Sequence, residues 1–157
     1  MKFGDFICFE AVVAQLQASG RDDAIEELIL SLVNAGKLKK GVSKDITRAI
    51  IKRENEASTG MGKGVAIPHV KHKSVKEVVG VVGVSSVGID FLALDKQPVH
   101  SVILLISPED NPDEHLVMME YIFKNLQQEM FRKFLRQCSE PEQIKDLLLE
   151  ADGNASL

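Results

Sequence analysis

The sequence predicts a single α/β domain with a central mixed β-sheet flanked by helices on both faces. Amphipathic helical patterns lie before and after a block of strand-like segments, which is the order expected when helices cover a sheet. The segment 99–106 is almost entirely apolar and rich in β-branched residues, as is typical of a strand buried on both faces. A length of 157 residues with 45% apolar residues suits one globular unit.

Two helices are predicted in the first third of the chain. Between Ser19 and Gly36 apolar residues recur every three or four positions, four acidic residues lie near the start, and Gly36 supplies the stop. A second helix is predicted from Ser43, as its N-cap, to about Arg53. The pattern then breaks, because 57–64 holds three glycines at alternate positions, which regular structure tolerates poorly.

Strands are predicted next, and helices close the chain. The strands are 65–67, 78–84, a shorter one within 88–94, and 99–106, with a turn at 95–98. A long helix is predicted after Asn111, which is a good N-cap and precedes a proline and two acidic residues. Two shorter helices follow, at 130–137 and at 141–150, the latter opened by a capping box from Ser139 to Glu142, and the tail 152–157 is expected to fray.

Composition excludes several classes of function. The net charge is 19 − 23 = −4, so nucleic acid and anionic membrane are disfavoured as partners, since binding a polyanion needs a concentrated basic face. Cys8 and Cys138 are too few for a disulfide framework and lack the spacing of metal ligands. No secretory pattern and no apolar run approaching 18 residues is present, so we expect a cytoplasmic protein without direct membrane insertion.

The segment from Arg53 to His69 carries the pattern with most chemical content. A loop rich in glycine lets backbone N–H groups converge on an anion, and Pro68 fixes the backbone beside His69 and helps to aim its imidazole. A neutral histidine placed beside such donors and an arginine can attack a phosphoryl group, after which the donors hold the new dianion. The alternatives are a plain turn without a ligand for the loop and a charge that compensates the helix dipole for Arg53.

Nucleotide and metal sites are disfavoured by spacing. The glycines at 60, 62 and 64 do not fit the dinucleotide fingerprint, and Lys63 lacks the following Ser or Thr of a phosphate-binding P-loop. His69 and His72 could ligate zinc, but His72 is flanked by two lysines and no Cys or carboxylate has matching spacing, so no metal or cofactor is predicted. His72 is instead expected to be solvated in a loop, and His100 to be structural.

His115 is predicted to lie in the first turn or so of the long helix. There the helix dipole disfavours imidazolium and favours a bound anion. The helical spacing also places His115 on the same stripe as Met119 and Ile122, so the helix turns it inward. On position alone, a buried histidine with a purely structural role is an equal alternative.

Together these features resemble a known family. The segments that carry the resemblance are Arg53-Glu54, Ser58-Thr59-Gly60-x-Gly62-x-Gly64-x-Ala66-Ile67-Pro68-His69, Asp95-Lys96-Gln97-Pro98-Val99 and Pro112-x-x-His115-Leu116. They resemble the signature of the enzyme IIA domains of the bacterial phosphoenolpyruvate:sugar phosphotransferase system, in the fructose/mannitol class that includes nitrogen-regulatory IIA proteins. The resemblance implies one type-2 IIA domain over residues 1–157 with a core of about 11–151. Val70 and Lys63 depart from the common family pattern and leave partner preference open.

The resemblance also implies functional residues. His69 would be phosphorylated at Nε2, His115 would be the second active-site histidine, and Arg53 would contribute to the phosphoryl-binding site. The backbone of 58–64, including Ser58, Thr59, Gly60, Gly62 and Gly64, is expected to add phosphoryl-binding donors.

Two functions follow from these assignments, and they differ in the protein that interacts with the chain once His69 is phosphorylated. In the first, His69 accepts a phosphoryl group from a phosphorylated histidine carrier protein of the HPr or NPr type and passes it to a cysteine of a IIB domain during sugar uptake. In the second, the phosphorylation state of His69 controls binding to a regulatory target protein without sugar transport. A third reading, a metal-dependent hydrolase, would require a stoichiometric metal ion in the purified protein.

Overall fold

Five strands form a mixed sheet at the centre of the chain, and helices cover both of its faces, which confirms the predicted fold class. The computed structural model describes residues 1–155. Over these residues the helices are α1 (Phe3–Phe6), α2 (Arg21–Asn34), α3 (Lys40–Glu56), α4 (Pro112–Leu126), α5 (Glu129–Gln137) and α6 (Pro141–Ala155), and a short 3-10 turn spans Phe9–Ala11. The strands are β1 (Gly60–Gly62), β2 (Val65–Ala66), β3 (His69–Lys71), β4 (Val79–Ile89) and β5 (Val99–Ser107).

The buried strand β5 organises the sheet. β4 pairs with it antiparallel along one edge, while β2 and β3 pair with it in parallel. Val65 lies opposite Ser101, and His69 lies opposite Leu105. Both pairs have a sequence separation of 36 (101 − 65 and 105 − 69), so β2 and β3 follow one line along the same edge of β5. Ile67 and Pro68 separate these two strands on that line. β1 extends the sheet by pairing antiparallel with β2.

Alternation along β5 separates two apolar cores. Ile103 and Leu105 face one cluster, which includes Met118 and Ile122 of α4 and also residues of α1, α5 and α6. The neighbours Val102, Leu104 and Ile106 face the other cluster, which is formed with α2 and α3. Every residue of β5 is buried, as the apolar pattern predicts. His69, opposite Leu105 in the sheet, therefore belongs to the face that α4 covers.

The N-terminal segment is part of the packed structure. Phe3 is fully buried, and its ring stacks on Phe131 with centroids 5.9 Å apart and planes 3° apart. Asp152 of α6 accepts the backbone N–H groups of Phe3 and Gly4, each at 2.8 Å, and the hydroxyl of Tyr121 donates to it as well. Buried core residues thus begin before residue 11. The prediction of a frayed tail is wrong for 152–155, because Asp152 holds α6 against α1; residues 156 and 157 lie outside the described part.

Asp152→Ala is expected to lower the free energy of unfolding by about 2–3 kcal/mol, because two backbone donors at the start of α1 lose a charged acceptor. Urea denaturation measures the change. Asp146→Ala is the matched control, since Asp146 is on the same helix but exposed. Equal effects of the two substitutions would show that the Asp152 contacts do not stabilise the fold.

Several predicted element bounds are wrong. α3 begins at Lys40, and Ser43 is already inside the helix, where its hydroxyl donates to the Lys40 carbonyl at 2.8 Å. Residues Gly60–Gly62 form strand β1, stabilised by pairing with β2. The strands predicted at 78–84 and 88–94 are largely one strand, β4, whose register shifts after Val84, and 91–98 is a loop.

The predictions for the helices that follow β5 have mixed outcomes. The N-cap prediction for α4 is confirmed, because the Asn111 side chain accepts the N–H of Glu114 at 3.2 Å. At α6, in contrast, Gln143 rather than Glu142 accepts the N–H groups of Ser139 and Glu140, at 2.8 and 3.1 Å.

In residues 1–155, no helix combines the length and apolar content that a bilayer crossing demands.

Candidate functional site

His69 begins β3 and is half-buried beside the interruption at Pro68. Its Nδ1 lies 2.7 Å from the carbonyl oxygen of Ile67, two residues earlier. A carbonyl oxygen only accepts hydrogen bonds, so Nδ1 carries the proton in this contact. In the neutral ring the lone pair then lies on Nε2.

His115 faces His69 from the first turn of α4. The two rings have centroids 5.5 Å apart and are tilted by 41°. His115 Nδ1 lies 2.6 Å from the hydroxyl oxygen of Ser107, which is fully buried at the end of β5. Two histidines 46 positions apart in the sequence (115 − 69) are therefore brought together, because α4 follows β5 directly and packs over the face of the sheet that carries His69.

The electrostatic environment of His115 favours its neutral form. Burial lowers the pKa of His115 below its ordinary value of 6.5, and the charges of His69 and Lys71 lower it further. Lys71 is exposed and lies two residues after His69 on β3, opposite Ser107, so its ammonium adds positive charge to the same face. No role is predicted for Lys71 or Ser107 from the sequence. A strand over residues 69–71 would have placed Lys71 on the same face as His69, but that strand is not among the predicted ones.

We expect the His115 imidazole to titrate below pH 6.5, which nuclear magnetic resonance of its ring protons measures. Because the unfolded chain protonates this histidine first as the pH falls, folding stability decreases from about pH 7 downward through the lower folded pKa. His115→Gln is expected to weaken that pH dependence. A His115 pKa at or above 6.5 would contradict the environment described here.

Arg53 lies in the last turn of α3, as predicted. Its Nη1 donates to the carbonyl of Ala57 at 3.3 Å, so the side chain is folded onto the end of its own helix. Within residues 1–155, no hydrogen bond joins Arg53 to His69 or His115. Its role toward a phosphoryl group stays a prediction.

Side chains of the protein accept three N–H groups of the glycine-rich loop, those of Thr59, Gly60 and Lys63. Glu54, only 3% exposed, accepts both the backbone N–H and the hydroxyl of Thr59. The Ser58 hydroxyl accepts the N–H of Gly60 at 3.0 Å and donates to the carbonyl of Phe91 at 2.9 Å. The N–H of Lys63 donates to Asp95 at 3.1 Å. These contacts favour a structural turn over an open anion cradle for this segment.

The tip of this loop also lies some way along the sheet from His69. Gly62, Lys63 and Gly64 have positive φ angles of 88°, 58° and 78°, which turn the chain from β1 into β2. A Cβ on Gly62 would approach Asp95 Oδ2 to 3.2 Å. Val65 and His69 are four residues apart on one strand line, which is roughly 13 Å at the usual rise. The phosphoryl-binding role of Gly62 and Gly64 therefore remains a prediction without a contact to support it.

The other two histidines have structural partners. The prediction that His72 is solvated is wrong: it is 7% exposed, its Nε2 lies 2.6 Å from Asp45 Oδ2, and its Nδ1 lies 2.6 Å from the Ser74 hydroxyl. Its neighbours on both sides are exposed lysines, and the strand alternation turns His72 toward α3 instead. His100 is buried and its Nδ1 donates to the carbonyl of Ser85 at 2.8 Å, as expected for a structural histidine.

Metal-binding groups do not gather anywhere in the part of the chain that the structure describes. No three side chains of His, Cys, Asp or Glu among residues 1–155 are placed to hold one ion. The functional groups that the fold does bring together are two imidazoles, one hydroxyl and one ammonium: His69, His115, Ser107 and Lys71. Such a group can exchange a phosphoryl or a proton at Nε2 of His69.

Known proteins are similar to this chain in sequence and in fold. The chain is 30% identical over 152 residues to the fructose-specific EIIABC component of the PTS system of Bacillus subtilis (strain 168), covering 97% of this chain and 24% of that protein. The chain thus spans about a quarter of the length of that relative. The crystal structure of nitrogen regulatory protein IIA-Ntr from Neisseria meningitidis matches with a TM-score of 0.83 at 28% identity, covering 93% of this chain and 98% of the other.

A further structural match lies at lower identity. Enzyme IIA mannitol of Escherichia coli, in its complex with phosphorylated enzyme IIB mannitol, has a TM-score of 0.74 at 19% identity, covering 90% of this chain and 95% of the other, which shows the shared fold. The family model for the phosphoenolpyruvate-dependent sugar phosphotransferase system, EIIA 2, matches residues 6–151, and this range includes both facing histidines. The chain therefore belongs to the EIIA 2 family of the phosphoenolpyruvate-dependent sugar phosphotransferase system.

Proposed function

We propose that this chain is a histidine phosphocarrier in which Nε2 of His69 accepts a phosphoryl group from a phosphorylated histidine carrier protein. The observation that carries the proposal is the contact between His69 Nδ1 and the Ile67 carbonyl, which leaves the Nε2 lone pair free and positions the ring. The Nε2 lone pair forms the new N–P bond as the N–P bond of the donor histidine breaks. The electron pair of the broken bond returns to the donor's ring, and the Nδ1 proton of His69 remains shared with the Ile67 carbonyl.

His115 is proposed to hold the phosphoryl oxygens during transfer. When the buried Ser107 hydroxyl donates to His115 Nδ1, the proton of the neutral His115 ring lies on Nε2 and can donate to a phosphoryl oxygen. The lowered pKa of His115 favours this neutral form at pH 7. Lys71 adds positive charge nearby, and Arg53, at the end of α3, is proposed to reach the phosphoryl group once it is present.

The acceptor of the phosphoryl group separates the two predicted functions. In sugar uptake, a cysteine of a IIB domain accepts it, and the relatives include a sugar-specific protein and a IIA domain bound to phosphorylated IIB. In regulation, the nearly two added negative charges on His69 change binding to a target protein. The chain matches 98% of the length of a nitrogen regulatory protein, which supports this second candidate.

Incubation with phosphoenolpyruvate, enzyme I and the histidine carrier protein is expected to label His69 with phosphate. The label should be lost in acid and kept in base, because a phosphoramidate is labile once its nitrogen is protonated. Peptide mapping locates the modified residue. An acid-stable label at Ser58 or Thr59 would contradict the histidine assignment.

Arg53→Gln is expected to weaken phosphoryl acceptance by about 1.5–3 kcal/mol, or roughly 10–150-fold, with little loss of folding. The rate of labelling by the phosphorylated carrier protein measures the effect. Lys52→Gln, which removes an exposed charge one position away, is the matched control. Equal labelling of the two variants would reduce Arg53 to a charge that compensates the end of α3.

A further inference from the structure

The charges of this acidic chain are strongly separated along the sequence. Residues 37–76 contain eleven Lys and Arg but only three Asp and Glu, a net charge of 11 − 3 = +8. The rest of the chain contains eight Lys and Arg and twenty Asp and Glu, a net charge of 8 − 20 = −12, and the two parts sum to −4. The net value therefore conceals a basic region, which forms α3 and the segments next to it.

On α3 this charge is ordered into a stripe. Basic residues recur at every fourth position, at Lys40, Lys44, Arg48 and Lys52, and all four are exposed. Residues four apart lie on the same face of a helix, so the stripe runs along the length of α3. The opposite face of the helix buries Ile46 and Ile50 against the sheet, which fixes the outward direction of the stripe.

The basic stripe borders an apolar groove between α2 and α3. These helices are antiparallel neighbours, with Arg21 at the start of α2 donating to Asn55 at the end of α3 at 2.6 Å. The groove between them encloses about 600 Å³. Its apolar lining comes from α2 and α3 and includes Leu30, Val33 and Ile51, and Leu30 is 57% exposed. α2 and α3 cover the sheet face opposite α4, so the groove is separate from the pair of histidines.

We propose that this groove, lined by Leu30, Val33 and Ile51 and bordered by Lys40, Lys44 and Arg48, binds an acidic amphipathic helix of a partner protein. The apolar residues would contact the apolar face of that helix, and the cations would pair with carboxylates spaced four residues apart along it. The span from Lys40 to Ile51 is eleven residues, or about 16 Å, which accommodates about three turns of a bound helix.

The groove fits a protein helix better than other polyanions. Nucleic acid binds through phosphates and would leave Leu30 and Val33 in water. Glu26 also lines the groove, at the end away from Lys40, and would repel a continuous row of phosphates. The same carboxylate predicts polarity in the partner, whose acidic residues are expected at the end near Lys40 and Lys44.

The test measures binding of a fluorescein-labelled peptide of about 16 residues by fluorescence anisotropy. The peptide carries leucines at helical spacing on one face, and glutamates beside that face toward one end. We expect a Kd in the micromolar range for the unmodified protein, and at least about a tenfold higher Kd for the double variant Lys44→Glu with Arg48→Glu. Leu30→Gln is also expected to weaken binding. Lys133→Glu, an exposed charge reversal on α5, is the matched control and is expected to leave the Kd unchanged.

Three results would overturn the proposal. One is the absence of peptide binding at about 1 mM. Another is equal weakening by the control variant, which would indicate a general charge effect. The third is that a DNA duplex or phosphatidylserine vesicles bind more tightly than the peptide does, and that this binding is weakened by Lys44→Glu with Arg48→Glu but not by Leu30→Gln. Phosphorylation of His69 is measured in parallel. It is expected to persist in the Lys44→Glu, Arg48→Glu double variant and in Leu30→Gln, so this proposal and the phosphocarrier proposal can fail separately.

Discussion

His69→Ala is expected to abolish phosphoryl acceptance while the fold persists. The substitution removes the only nucleophile in the proposed reaction, so labelling by the phosphorylated carrier protein should fall by about 10⁴-fold or more. Folding is expected to change little, because the side chain is only half-buried and its hydrogen bond is to a neighbouring carbonyl. Labelling rate and urea denaturation measure the two effects.

Two further variants make this experiment specific. His69→Gln keeps a donor for the Ile67 carbonyl but has no nucleophilic lone pair, so it should fold well and remain unlabelled. His100→Gln changes a histidine that is buried elsewhere in the sheet, and it should still be labelled. Phosphorylation that survives in His69→Ala would overturn the whole assignment.

His115→Ala is expected to impair onward transfer more than acceptance. His69 keeps its nucleophilic nitrogen in this variant and should still be phosphorylated. The variant loses a donor to the phosphoryl oxygens as charge moves in the transition state, which costs up to about 2.7–4 kcal/mol, or 10²–10³ in rate. Two single-turnover measurements, one with the phosphorylated carrier protein and one with a IIB acceptor, separate the steps.

Ser107→Ala is the companion to this variant. It leaves both imidazoles in place and removes the 2.6 Å contact that orients His115, so it should slow onward transfer by less than His115→Ala does. Rates equal to those of the unmodified protein in both directions for His115→Ala would reduce His115 to a packing residue.

The sequence was sufficient to predict features that depend on local pattern. The helical spacing after Asn111 and the apolar run of β5 predicted an element each, and the N-cap is in place. The resemblance predicted that His69 and His115 belong to one site, and the helical stripe predicted that His115 turns inward; the structure places the two rings 5.5 Å apart. Each of these features rests on residues only a few positions apart or on a long motif.

Other features depend on contacts between distant segments, and the sequence did not reveal them. Ser107 meets His115 only because α4 folds back over the end of β5. The carboxylates of Glu54 and Asp95 accept hydrogen bonds from N–H groups of the glycine-rich loop. A segment that resembles an anion-binding loop in sequence is therefore stabilised by side chains of the protein itself. His72 lies in a run of basic residues, yet it is buried, and its Nε2 donates a hydrogen bond to the Asp45 carboxylate of α3.

In the proposed phosphoryl transfer, the contact between His69 and the Ile67 carbonyl bears on the direction of transfer. The contact joins residues two positions apart, with a proline between them, so ordering the His69 ring costs little conformational entropy. It also does not depend on the surface of a partner protein. An orienting contact that belongs wholly to the carrier serves the incoming donor and the outgoing acceptor equally. It lowers the barrier in both directions by the same amount, so the direction of net flow is left to the relative stabilities of the phosphorylated donor and the phosphorylated acceptor.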